Sequence, residues 1–85
     1  RSAELIDETS RRAAARTALQ GLSPRECEVA RLVAQGRPNK LIASDLGISE
    51  KTVHIHRQHV MEKTDVSSAA ELARLMLRAD PAALD

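Results

Sequence analysis

Between Asn39 and Lys63 the chain reads NKLIASDLGISEKTVHIHRQHVMEK, and its apolar positions fall into two helical periods with a break between them. Ile42, Ala43 and Leu46 share one face. Gly47-Ile48-Ser49 interrupts that face, and Val53 and Val60 restart the period. The pattern predicts two helices joined by a tight turn. Ala43 is small where the second helix crosses the first, and Gly47 can take the left-handed backbone the turn needs. Ile48 plugs the angle between the helices, and the Ser49 hydroxyl caps the next helix. A pair held at such an angle leaves one helix free to lie in a DNA major groove.

The second helix, Glu50 to about Thr64, can be tested by angle. At about 100° per residue with Lys51 at zero, Val53, His56, Val60 and Thr64 lie within roughly 40° of the opposite direction. That side is expected in the core, with His56 as a satisfied histidine or a phosphate contact at the flank. Lys51, His54, Ile55, Gln58 and Glu62 cluster on the exposed side. Gln pairs with adenine, Lys reaches guanine and Ile meets a thymine methyl, so Lys51, His54, Ile55 and Gln58 are candidate base contacts. Thr52 and Arg57 flank the stripe where phosphates run. The plainer reading is a solvated helix face, against which Ile55 stands out as apolar and β-branched.

Three further segments surround this unit. Leu22-Ser23-Pro24-Arg25-Glu26 carries an N-cap Ser, a Pro in the first turn and a Glu at the third helical position, the signature of a capping box. Cys27, Val29, Ala30, Leu32, Val33 and Ala34 then predict a broad buried face that Gly36 ends, with Leu22 stapled onto Cys27. From Val66 to about Ala79, Ser67 and Ser68 are candidate caps. Leu72 and Met76 are expected to close the core, and Val66, Ala69, Ala73 and Leu77 to face a second copy. Residues 3–19 have good helix propensity but a poor apolar stripe, which fits a linker helix or a frayed arm. The expected organisation is a linker over 1–21, a folded unit over 22–80 and a tail over 81–85. The first residue is Arg1 and not Met, which fits a piece of a longer protein.

Composition narrows the classes. The 85 residues include no Trp, Tyr or Phe, which disfavours single-strand and RNA modules that stack bases on aromatic rings. A lone Cys27 allows no internal disulfide and suits a reducing cytoplasm. No apolar run approaches membrane-spanning length. Net charge is +1, yet residues 37–63 carry five basic and three acidic side chains, so the excess coincides with the predicted turn unit. Of three histidines, His54 and His56 point about 160° apart, and His56 with His59 lacks a third ligand, so no metal or other cofactor is expected. There is no Gly-rich phosphate loop, and no Ser or Cys has a base partner in view, so an enzyme is not expected.

The blocks LSPRECEVARLVAQG, NKLIASDLGIS, EKTVHIHRQHVMEK and SSAAELARL together resemble the LuxR-type helix-turn-helix domain, in particular its FixJ and NarL response-regulator branch, from Leu22 to about Ala79. The resemblance implies an all-α fold: a four-helix bundle containing the helix-turn-helix, preceded by the linker helix. Its third helix would enter the major groove and its fourth would make a homodimer contact. It also implies a cytoplasmic transcription regulator on double-stranded promoter DNA, governed by an upstream receiver domain and a sensor kinase, with RNA polymerase a further candidate partner. The family's base-reading positions fall on His54, Ile55 and Gln58, and its backbone contacts on Asn39, Lys40, Thr52, His56, Arg57 and Lys63. His54 replaces a usual Lys, Arg or Glu, Thr64 a usual Leu, and Arg37-Pro38 a common capping Ser. These departures bear on base preference and stability. Region four of a sigma factor, an RNA-binding antiterminator domain and a protein-binding helical module remain alternatives at this point.

Overall fold

The computed structural model describes the backbone of residues 2–85 and the side chains from Thr9 onward. It contains five helices and, among the described residues, no strand: α1 (Ser2–Gln20), α2 (Pro24–Ala34), α3 (Asn39–Leu46), α4 (Glu50–Thr64) and α5 (Ala69–Ala79). α4 packs across α2 and α3, α5 closes against α2, and α1 lies along α5. The core they enclose is aliphatic. Val29, Ala30, Val33, Ile42, Val53, Val60 and Leu72 are all essentially inaccessible to solvent.

Local chemistry fixes the helix boundaries. Ser23 Oγ accepts from the Glu26 N–H at 3.2 Å while a Glu26 carboxylate oxygen accepts from the Ser23 N–H at 2.9 Å, which completes the capping box. Three helices end alike. Arg37 N–H donates to Leu32, Ile48 N–H to Ala43 and Val66 N–H to Met61, each across a residue in the left-handed region. Two of those residues are glycines, Gly36 at φ 87° and Gly47 at φ 67°. The third is Asp65 at φ 55°, a side chain that tolerates this conformation at some cost. Asp65 ends α4 and Ser68, one of the two candidate caps, starts the last helix at Ala69.

Two expectations are corrected. Cys27 is exposed, not buried, and cannot be the partner of a Leu22 staple; Leu22 enters the core itself. The buried stripe of α2 runs Glu26, Val29, Ala30, Val33, and Cys27 stands about 100° off it. His56 is not a satisfied histidine, since its buried Nδ1 has no hydrogen-bond partner among the described residues. Thr64, by contrast, is buried and satisfied, its hydroxyl donating to the Val60 carbonyl at 2.6 Å.

The ends of the chain are tied to the core. On α1, Thr9–Ala14 are exposed, but Ala15 is buried, Leu19 packs on the core cluster, and Arg16 Nε donates to the Ala79 carbonyl at 3.3 Å. After α5 the chain turns back over α2: Ala83 and Leu84 pack on the core, Gln35 donates to the Leu84 carbonyl at 3.1 Å, and Arg31 donates to the Asp85 carbonyl.

Candidate nucleic-acid interface

The core residues of α4 decide which side of it faces outward. Val53, Val60 and Thr64 are buried, so Lys51, His54, Ile55, Gln58 and Glu62 are all exposed, as the angular pattern predicts. Ile55 keeps 42% of its surface accessible, which leaves a bare apolar side chain amid polar neighbours. From Lys51 to Gln58 the stripe spans about two turns, or about 10 Å of helix axis. That length matches roughly three base-pair steps of about 3.4 Å each.

The turn before α4 is built to hold this pose. Gly47 takes the left-handed backbone, and Ser49 Oγ accepts from the Thr52 N–H at 3.0 Å, so α4 starts at a fixed point and angle. Thr52 is half-buried and its hydroxyl lies 2.9 Å from Ser49 Oγ. α3 differs at its start. Pro38 occupies the N-cap and supplies no side-chain hydrogen bond. The first N–H groups of α3, at Asn39 and Lys40, therefore lack a capping acceptor, and an uncapped helix start favours an anion. Beside it Arg57 Nη1 donates to Asn39 Oδ1 at 3.2 Å, which orients Asn39 with its amide NH2 available to a phosphate oxygen. Lys40 is exposed on the same turn.

Asn39, His54, Arg57, Gln58, Met61 and Glu62 line a groove between α3 and α4. Met61 and Glu62 are additions to the expected site, each one turn beyond an expected contact, Arg57 and Gln58. His56 sits half-buried on the α4 flank. Lys63 is the exception among the expected backbone contacts, because its ammonium lies 2.7 Å from a Glu26 carboxylate oxygen. Arg37 pairs with Asp45 at 2.8 Å on the surface, an exposed bridge of little energetic weight. The positions expected to meet a second copy divide: Val66 and Ala69 pack on their own core, Ala73 is half-buried, and Leu77 is 41% exposed.

Residues 20–76 match the family described as bacterial regulatory proteins, luxR family. The chain belongs to that family. It is thus a LuxR-type helix-turn-helix domain, of a family of DNA-binding transcription regulators. Among its relatives, the transcriptional regulatory protein UhpA of Escherichia coli strain K12 is 54% identical over 55 residues, covering 65% of this chain and 28% of UhpA. The transcriptional regulatory protein FixJ of Azorhizobium caulinodans is 41% identical over 85 residues, covering 100% of this chain and 40% of FixJ. Of solved structures, the response regulator StyR superposes with a TM-score of 0.79 at 37% identity, over 86% of this chain and 37% of that one. Full-length FixJ from B. japonicum gives 0.72 at 38% identity, over 84% of this chain and 36% of that one. The chain therefore spans well under half the length of each of these relatives. No helix among the described residues is long and apolar enough to cross a membrane.

Proposed function

We propose that this domain binds double-stranded promoter DNA sequence-specifically, as the effector part of a bacterial response regulator. One observation carries the reading: α4 buries Val53, Val60 and Thr64 and turns Lys51, His54, Ile55 and Gln58 outward over a length that suits a major groove. Lys51, His54 and Gln58 address base edges, and Ile55 contacts a thymine methyl. Asn39, Lys40, Thr52, His56 and Arg57 hold the flanking phosphates and set the register. With Nδ1 buried, His56 reaches a phosphate through Nε2–H.

A stripe of about three base pairs supplies limited selectivity at about 1–3 kcal/mol per good bidentate pair, so two copies per site are needed. Ala73 and Leu77 offer the surface for that pairing. An upstream receiver domain and its sensor kinase belong to the same proposal, supported by a relative named as a response regulator, and RNA polymerase and a cytoplasmic location go with them.

The test is competition. Labelled duplex promoter fragments bound at fixed salt are challenged with unlabelled duplex of unrelated sequence and with structured RNA. An unlabelled copy of the promoter duplex, added as a third competitor, should compete best, by about 10³-fold or more for a paired site. Displacement by RNA at equal concentration would point to an antiterminator-type domain, and no binding at low salt would point to a protein-binding module.

A further inference from the structure

Glu26 is the buried acidic side chain of the described core, only 4% exposed, and it joins two helices. One carboxylate oxygen accepts from the Ser23 N–H at the start of α2 and from Lys63 Nζ at the end of α4, at 2.9 and 2.7 Å. The other lies 3.5 Å from Nδ1 of His59, one turn before Lys63 on α4. Lys63 holds the carboxyl down at about 2, with the Ser23 N–H adding to the effect against the cost of burial.

We infer that Glu26 and Lys63 form a strut that sets the pose of α4, so that Lys63 is a positioning residue for base reading and not a phosphate contact. The inference rests on the DNA-reading function proposed above. Valine contacts along α4 hold it against the core without fixing its direction, whereas a charge-assisted hydrogen bond has a defined length and direction. Lys63 lies about 18 Å along the axis from Lys51, so a tilt of about 5° pivoting there moves Lys51 by about 1.6 Å. Polar recognition tolerates displacements of only about 0.5 Å.

The test uses the whole chain, a duplex selected for specific binding and a duplex of random sequence. Glu26→Gln keeps an acceptor for the Ser23 N–H and removes the charge. Lys63→Met keeps the stem, and Arg57→Met serves as the phosphate-contact control. All are compared where circular dichroism shows full helicity. Each strut variant should lower the specific-to-random affinity ratio by about two- to thirty-fold, and the double variant no further. On random duplex, Lys63→Met should leave the slope of log affinity against log salt unchanged, while Arg57→Met reduces it by about one. A slope reduced by about one in Lys63→Met, or tighter random binding in Glu26→Gln through a freed Lys63, overturns the strut. Should Glu26→Gln fail to fold, the slope of Lys63→Met decides alone. A wild-type chain that prefers no duplex sequence defeats the DNA-reading function itself, an outcome the slopes keep separate.

Discussion

Lowering the pH should erode the stability that the ionised Glu26 carboxylate lends the core. Its carboxyl is held at about 2 against an ordinary 4.5. A depressed folded-state value means the unfolded chain takes up the proton first, so the stabilisation is present above about 4.5 and disappears as pH falls towards about 2. At about 1.36 kcal/mol per unit the shift is worth at most about 3 kcal/mol. Lys63 is 44% exposed, and solvent screening brings the expected figure to about 1–2 kcal/mol. Other carboxylates titrate in the same range, so the informative quantity is the gap between wild type and Glu26→Gln, which cannot titrate there. Thermal unfolding followed by circular dichroism at half-unit steps from pH 6 to pH 2 measures it. At about 4–8 °C per kcal/mol for a domain of this size, the gap should be near 10 °C at pH 6 and nearly closed at pH 2. A gap that stays constant across the range would mean that the ionised carboxylate is not the source of the stabilisation.

Three other outcomes follow from the same geometry. Asp65→Gly should stabilise the domain by about 0.5–1 kcal/mol, since Asp65 ends α4 at φ 55°; denaturant unfolding checks it, and an unchanged midpoint means the Asp is not strained. Cys27 should react with a thiol reagent in the folded chain nearly as fast as in denaturant, given its exposure, and strong protection would contradict the placement of α2. Ala73→Glu, beside exposed Leu77, should abolish cooperative binding to two half-sites while the helical signal stays; unchanged cooperativity moves the pairing surface elsewhere, for instance to α1.

What could be read in the sequence was local. The Gly47 turn, the Ser49 and Ser23 caps and the outward set Lys51, His54, Ile55 and Gln58 depend on residues within a turn or two of each other, and the structure places them as the spacing predicts. What escaped depends on partners far along the chain. A charged Glu26 inside the core and a Cys27 outside it reverse the apolar pattern. Burial of the Glu is sustained by Lys63, a residue 37 positions away. The weak stripe of α1 likewise understated its docking, because Ala15, Leu19 and one Arg16 hydrogen bond suffice against α5. The tail, expected as a mere end, is tied by Arg31 and Gln35 to α2.

The outward face of α4 is expected to read base pairs. Selection of bound duplexes from a random library, run in parallel with wild type and Gln58→Ala, measures this directly. Wild type should enrich a short motif in two copies about 10–10.5 base pairs apart, and Gln58→Ala should lose preference at one position of each copy and keep the others. No enriched motif for wild type, or the same motif for both proteins, would contradict it.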